Sequence, residues 1–252
     1  MNEPSDKLFT AKLGDMASLC ERNGAAVFSL FFDERQCAEA EAWCLHNTAG
    51  LKYKLWGGYE DARRKMLSVY HDYEEEYIIG EFPFVCLTFS YREEDKLTHR
   101  DFLGSFMALQ LKREVIGDIV VSEGKTQAFV TEVAAKLISG SISKIGRVGV
   151  KLTDNVPFIL ENAQKFQEIS GTVASLRLDC VVGLAAKLSR EKAATLIRTD
   201  RAEVNHLPVS SVSHELRVGD ILSIRGYGRF VLSEINGHTK KDRIHIIMKK
   251  YI

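Results

Sequence analysis

Three arginines lie on or just past one predicted helix in the last third of the chain. Ser189 is a favourable N-cap for this helix. Arg190, Ala194 and Arg198 follow at intervals of four residues, so they share one helix face, and Arg201 comes directly after the helix. A guanidinium group is planar and matches phosphate oxygens with parallel hydrogen bonds. The spacing therefore predicts a shallow, positive groove that contacts the phosphates of a nucleic acid.

The charge distribution points the same way. Lys and Arg total 34 and balance 34 Asp and Glu over 252 residues. Residues 175–252 nevertheless hold 14 Lys and Arg against 8 Asp and Glu, a net charge of +6, so the remainder carries −6. Such asymmetry is typical of an end that faces nucleic acid, although chance clustering is an alternative for so modest a charge. Residues 1–97 carry −7, which leaves open an acidic module that holds a protein partner.

Other patterns that could perform chemistry are weaker. The triplet His-Arg-Asp at 99–101 lacks the Asn that protein kinases require five residues later, where this chain has Phe106. Gly140, Gly146 and Gly149 follow a predicted helix instead of a strand, so they do not form a dinucleotide loop, and Gly140 is predicted to cap that helix in the left-handed conformation. The seven histidines have no metal-ligand spacing. We therefore predict no catalytic residue, no metal and no cofactor.

Two helices and a small sheet position the arginines. Apolar residues repeat at intervals of three and four along the first helix, namely Leu178, Val181, Val182, Ala185 and Leu188. On the second helix Ala193, Leu196 and Ile197 face inward. Short strands follow, with a turn at Asn205-His206. This segment is the last of three predicted modules, which span residues 1–76, 77–158 and 175–252 of an α+β chain.

The central module has the predicted order β-α-β-β-α-β, which is that of ferredoxin-like domains. Its first helix is capped by Thr98. That fold serves many functions and so does not identify one. In the N-terminal α/β module we predict a helix that ends at Gly24, a helix capped by Asp33, and a strand, Gly-Gly turn and helix over "LKYKLWGGYEDARRKML". The acidic run "DYEEEY" is predicted to be solvated.

The composition is that of a globular protein, with 45% apolar and 27% charged residues. No apolar run approaches the roughly 18 residues of a membrane helix, and "MNEPSDK" does not resemble a secretory signal. The five cysteines form no C-x-x-C pair, which predicts reduced, mostly buried thiols and a cytoplasmic location.

The motifs "RLD", "LSREKAATLI", "AEVNH" and "VGDILSIRG" resemble the S-four, or alpha-L, RNA-binding domain. That family often has Gly where this chain has Asp200, and usually has Gly where it has His206. Asn, Asp and His tolerate a positive φ better than most residues, so the turn can survive. The resemblance implies an RNA-facing surface formed by Arg177, Lys187, Ser189, Arg190, Lys192, Arg198, Arg201, Asn205 and His206. We add Arg225 and Arg229, near the last strands, as further predicted RNA contacts.

Further upstream, "GGYEDARRKM", "THRDFLGSFMALQLKREVIGDIVV" and "SKIGRVGVKL" resemble the YlmH family of bacterial proteins. That family usually has Glu-Arg where this chain has Arg63-Arg64. The resemblance implies an N-terminal domain, a central RNA-binding domain and a C-terminal S-four domain. It also suggests secondary RNA contacts at Arg100, Lys112 and Arg113, for which a solvated edge is the alternative. The hairpin tip with Lys240 and Lys241 is either a solvated turn or a further phosphate contact.

The sequence thus favours a non-catalytic protein that binds structured RNA. The family resemblance implies ribosomal RNA of the large subunit, and obstructed subunits carrying peptidyl-tRNA in ribosome-associated quality control; contact with tRNA itself is left open. Two alternatives remain open at this stage. One is an RNA-modifying enzyme, of pseudouridine synthase or methyltransferase type, targeted by its S-four domain. The other is an adaptor protein linked to cell division.

Overall fold

The computed structural model describes residues 4–48, 50–154, 156–160, 166–238 and 242–252. The chain forms two compact units, Met1–Asn162 and Ala163–Ile252. Helices and antiparallel sheets occur in both, so the α+β class expected from the sequence is confirmed.

The N-terminal part of the first unit packs two helices on a three-stranded antiparallel sheet of order β1-β3-β2. The elements are α1 (Pro4–Asn23), β1 (Val27–Phe32), α2 (Glu34–Asn47), β2 (Lys52–Trp56) and β3 (Lys65–Tyr70). Gly24 follows α1 with φ +63° and closes it, as predicted. Asp33 caps α2 by accepting the backbone N–H of Gln36 at 2.9 Å, also as predicted.

The segment after the Gly-Gly turn is strand β3, so the predicted helix there is wrong. Its residues have good helix propensity, but β3 lies at the centre of the sheet between β1 and β2. Residues 66–70 are all buried, because one face packs under the helices and the other against the rest of the unit. Tertiary packing on both faces has overridden local preference.

The acidic run after β3 is also not wholly solvated. Glu74 is 6% exposed, and its carboxylate accepts the backbone N–H groups of Ala26 at 3.1 Å and His71 at 2.8 Å. The side chain therefore ties the start of β1 to the end of β3. The 3-10 turns Asp72–Glu74 and Ile78–Glu81 lead from there into the second sheet.

The second part of the first unit has the element order expected from the sequence, with one additional hairpin. Its elements are β4 (Phe84–Ser90), α3 (His99–Ala108), β5 (Ile116–Ser122), β6 (Lys125–Thr131), α4 (Glu132–Ser141), β7 (Lys144–Ile145), β8 (Val148–Gly149) and β9 (Lys151–Asp154), with a 3-10 turn at Arg113–Val115. The four-stranded sheet has the order β5-β6-β4-β9, and β7 pairs with β8. Phe89, Phe102 and Phe106 fill its core. The predicted cap at Gly140 is wrong, because α4 continues to Ser141 and Ile142 forms the C-cap.

The two sheets of this unit share an aromatic core. Phe31 and Met66 of the first sheet pack with Phe129 of the second. The loop after β2 packs directly on the ring of Phe129. Only glycine fits at residue 58, because its φ is +99° and any Cβ there would overlap that ring. Tyr59 then donates to the Asp118 carboxylate at 2.8 Å.

The C-terminal unit packs a helix pair on a six-stranded antiparallel sheet of order β10-β15-β14-β13-β11-β12. The elements are β10 (Phe166–Val173), α5 (Leu178–Ala185), α6 (Arg190–Arg198), β11 (Ala202–Val204), β12 (Leu207–Pro208), β13 (Ile221–Ile224), β14 (Gly228–His238) and β15 (Ile244–Tyr251). The predicted inward positions of both helices lie in one core with the sheet, Leu188 partly and the others fully buried. Strand β10, before residue 175, pairs with β15 along its whole length.

Candidate RNA-binding surface

A buried carboxylate joins the starts of the two C-terminal helices. Asp179, in the first turn of α5, is 3% exposed. It accepts hydrogen bonds from Arg177 Nε at 3.2 Å and Nη2 at 3.3 Å, and from Arg190 Nε at 2.8 Å. It also accepts the backbone N–H of Cys180 at 3.0 Å. Asp179 therefore braces Arg177, and its bond to Arg190 links the starts of the two helices.

This contact fixes the charge state of the carboxyl group. Burial opposes the charged form of Asp179, but hydrogen bonds from Arg177 and Arg190 outweigh that effect and lower its pKa to about 2. One carboxylate faces two guanidinium groups, so this corner keeps an excess positive charge. The pairing anchors both arginines at a defined position.

Arg190 is anchored at one end and open at the other. Its side chain is 65% exposed, and it bonds to Asp179 through Nε. Its two terminal nitrogens make no hydrogen bond within the described residues. A guanidinium group held by its inner nitrogen can present its outer nitrogens to a phosphate without further ordering.

The rest of α6 has the predicted two-sided character. Ser189 accepts the backbone N–H of Lys192 at 3.4 Å and caps the helix. Lys192 and Arg198 are exposed and Ala194 is half-buried, whereas Ala193, Leu196 and Ile197 are buried. The exposed cations and the open N-terminus of α6 therefore lie on the solvent side of the helix pair.

Both helices end in a left-handed residue that is not glycine. Lys187 has φ +54°, and the bonds Leu188 N–H to Gly183 O (2.8 Å) and Lys187 N–H to Leu184 O (3.3 Å) form a Schellman motif. Asp200 has φ +52°, with Arg201 N–H bonded to Leu196 O at 3.0 Å in the same pattern. Lys187 and Arg201 are both exposed, each at the turn that follows a helix.

The Asn205-His206 turn forms although both of its residues carry a side chain. Asn205 and His206 have φ of +49° and +67°, which is the geometry of a tight hairpin between β11 and β12. Asn205 is latched by its side chain, which donates to Asp220 Oδ1 at 2.9 Å and accepts Ile221 N–H at 2.9 Å. The turn is therefore held rigidly although Asn205 is exposed.

The remaining predicted arginines of this unit lie near strand ends, Arg225 directly after β13 and Arg229 at the start of β14. Arg225 is exposed, and its backbone N–H bonds to Arg201 O at 2.9 Å, so the backbones of these two residues are adjacent. Arg229 is half-buried, and its guanidinium group lies 5.8 Å from the ring centroid of Tyr251 on β15. The side chain of Arg229, which is on β14, therefore lies against the neighbouring strand β15.

Sequence reasoning missed one cation close to this surface. Arg243 lines, together with Arg190 and Asp179, a cavity of about 430 Å³. It also donates to Thr172 O at 2.7 Å. Its position after a hairpin, without helical spacing, gave no signal beyond its contribution to the basic charge of the segment.

The predicted secondary contacts differ in their surroundings. Arg100 and Lys112 are exposed. Arg113 is half-buried and donates to the carbonyl oxygens of Ile116 at 2.6 Å and Gly117 at 3.2 Å. Lys240 and Lys241 lie outside the described residues.

All five cysteines are free thiols, and burial raises the pKa of Cys37 and of Cys86 to about 12. Within the described ranges, no three His, Cys, Asp or Glu side chains are grouped as metal ligands would be. In the same residues, no helix combines the length and apolar character that a membrane span requires.

Comparison with known proteins identifies relatives. A family model described as "Putative RNA-binding domain in YlmH" matches residues 81–157. The chain is 33% identical over 229 residues to the Bacillus subtilis (strain 168) protein "Ribosome-associated protein quality control protein P2", covering 87% of this chain and 85% of that protein. The solved structure "Cell division protein ylmH from Streptococcus pneumoniae" superimposes with a TM-score of 0.53 at 19% identity, covering 62% of this chain and 94% of that one. At 19% identity, the similarity to the S. pneumoniae structure shows a shared fold alone.

Proposed function

Because this chain belongs to the YlmH family, we propose that it is a non-catalytic RNA-binding protein that docks on ribosomal RNA of the large subunit. We propose further that it acts in the cytoplasm on obstructed subunits that carry peptidyl-tRNA. The B. subtilis relative is named for ribosome-associated quality control, and it matches most of both chains. In this proposal residues 1–76, a ferredoxin-like module at 77–158 and the S-four module at 175–252 are the functional parts.

One observation carries the proposal. Asp179 holds the inner nitrogen of Arg190 at 2.8 Å, and the Arg190 side chain is 65% exposed. Lys187, Lys192, Arg198 and Arg201 are exposed on the same helix pair and the turns that end it. We assign to these residues, with Arg177 and the Asn205-His206 turn, the neutralisation of RNA phosphates.

The recognised feature is the shape of folded RNA. The A-form helix hides its base edges in a deep groove, so a rigid protein surface reads the spacing of phosphates and 2′-hydroxyl groups. The latched turn at Asn205 and the capped start of α6 supply that rigidity. Exposed Arg100 and Lys112 of the central module would make separate, secondary contacts with RNA.

The proposal is tested with a double variant, Arg190→Ala with Arg198→Ala. Both side chains are exposed, and Asp179 keeps Arg177 and the Cys180 N–H as partners when Arg190 is removed, so the variant should fold, as circular dichroism would verify. Co-sedimentation with large ribosomal subunits should fall at least tenfold at physiological salt. The slope of log K against log salt concentration should shrink by roughly two, because two phosphate contacts are lost.

A matched control removes the same charge elsewhere in the unit. Arg217→Ala with Lys249→Ala deletes two exposed cations that do not belong to the predicted surface. This control should lose less affinity and keep most of the salt slope. Equal loss in the two double variants would mean that net charge alone drives binding, and the assigned surface would be wrong.

A further inference from the structure

Two arginines in the first unit are partly buried without a carboxylate partner. Arg64 donates from Nε to Ile116 O at 2.9 Å, and from Nη2 to Phe31 O at 3.1 Å and Arg113 O at 3.2 Å. Arg113 likewise donates to backbone carbonyls. Neither guanidinium group forms an ion pair within the described residues. The two groups therefore share one corner and are held by neutral oxygens alone.

The nearby carboxylates are already engaged. Asp118 accepts the Tyr59 hydroxyl and the backbone N–H groups of Arg63, at 2.7 Å, and Arg64, at 3.1 Å. Asp33 accepts the backbone N–H of Gln36 as the cap of α2. Both acids lie close enough to act on Arg64 through their charge, but neither pairs with it.

The electrostatic cost of this arrangement is visible in Arg113. Burial, and then the positive charge of Arg64, lower the pKa of Arg113 to about 10. Partly buried cations without a directly paired carboxylate are unfavourable, and a neighbouring like charge adds to the cost. A bound anion would remove both penalties at once.

A cavity lies beside the two arginines. Its volume is about 350 Å³, within the range of small-ligand sites. The charged residues of its lining are Lys12, Arg64, Lys112, Arg113, Asp33 and Glu114, four cations against two acids. The lining therefore carries an excess of two positive charges.

We propose that this cavity, lined by Lys12, Arg64, Lys112 and Arg113, is a binding site for a phosphate group. Guanidinium groups match the geometry of phosphate oxygens, and the two lysines add positive charge that offsets the negative charge of a bound phosphate. The site includes two of the proposed secondary RNA contacts, Lys112 and Arg113, and adds Lys12 and Arg64. It does not require the C-terminal surface to bind RNA, since every residue that forms it belongs to the first unit.

The first test uses the full chain and inorganic phosphate. Phosphate should raise the melting temperature of the first unit above that in sodium chloride of equal ionic strength, by about 3–6 °C at ten times the dissociation constant. Arg113→Met should abolish this saturable shift. Arg92→Met is the matched control, because Arg92 is exposed and paired with Asp95, and it should keep the shift. No difference between the two salts would overturn the proposal.

A second measurement avoids any folding defect of the variant. Phenylglyoxal modifies arginines in the wild-type protein, and mass spectrometry locates the adducts. Inorganic phosphate should protect Arg113 at least fivefold and leave Arg92 reactive. A short RNA duplex without terminal phosphates identifies the source: protection by the duplex indicates a backbone phosphodiester, and protection by phosphate alone indicates a small phosphorylated ligand. Unchanged reactivity of Arg113 with both probes would refute the site.

Discussion

The bond network around Asp179 predicts how the C-terminal unit responds to loss of one charge. Asp179→Asn keeps the shape of the side chain and removes the charge that Arg177 and Arg190 face. In the folded protein the pKa of Asp179 is about 2, whereas the ordinary value for an aspartate is 3.8. At ~1.4 kcal/mol per pKa unit, the charged form contributes about 2 kcal/mol to stability.

The sign of the pH dependence follows from the direction of this shift. Because folding lowers the pKa of Asp179, its contribution is fully present above pH 4 and is lost as pH falls towards 2. The variant should therefore be about 2 kcal/mol less stable than the wild type at pH 7. The difference should shrink between pH 4 and pH 2, where the wild-type carboxylate also becomes neutral.

The assay must report on the C-terminal unit alone. Urea unfolding followed through the methyl NMR signals of Val182 and Ile197 does so, because both side chains lie in that core. Glu191→Gln, an exposed change on α6, serves as the control and should alter stability by less than about 0.5 kcal/mol. A constant gap between wild type and Asp179→Asn from pH 7 to pH 2 would contradict the assignment of the pKa to this network.

Asp179→Asn also distinguishes RNA binding through net charge from RNA binding through an anchored Arg190. Asp179→Asn raises the net charge by one, so attraction by charge alone would tighten binding. Loss of the anchor frees Arg190, and ordering a mobile side chain costs about 0.5–1.5 kcal/mol on binding. We expect RNA affinity at pH 7 to fall between twofold and tenfold. Tighter binding would show that anchoring of Arg190 does not matter.

Two further predictions concern backbone geometry. Gly58→Ala should destabilise the first unit by at least about 2 kcal/mol, because the new Cβ would overlap Phe129 at a positive φ, whereas Gly104→Ala in α3, which meets nothing within 4 Å, should be neutral or stabilising. Chemical unfolding followed by tryptophan fluorescence measures both, and equal stabilities would contradict the packing of the Gly-Gly turn. Lys187→Gly should leave stability unchanged or raise it by up to about 1 kcal/mol while RNA affinity falls. A large loss of stability in that variant would show that Lys187 is not strained.

Local signals in the sequence were sufficient where neighbouring residues determine the structure. The caps at Asp33 and Ser189 lie a few residues from the groups that they bind, and the periodicity of α6 sorts its buried and exposed sides. Strand β3 was missed because its burial depends on strands and helices that are distant in sequence. Gly140 was misassigned because a helical glycine and a capping glycine look the same in a sequence.

The candidate site was predictable to a similar extent. The helix pair, the turn at Asn205 and the exposure of the cations followed from spacing and resemblance. The link between Asp179 and Arg190 was not foreseen, because these residues are 11 positions apart on different helices. The partly buried pair of Arg64 and Arg113 was also not foreseen, since its excess charge depends on where the nearby acids are directed.

The left-handed residues explain why this surface can be both rigid and charged. Lys187, Asp200, Asn205 and His206 all have positive φ at turns where glycine would be less strained. Each non-glycine residue there costs roughly 1 kcal/mol, a cost that a well-packed core can absorb. In return the turn after α5 carries an exposed ammonium group, and the hairpin tip carries an amide that locks it to Asp220. Glycine at these positions would relieve the backbone strain. It would also remove the positive charge at Lys187 and the side-chain hydrogen bond from Asn205 to Asp220.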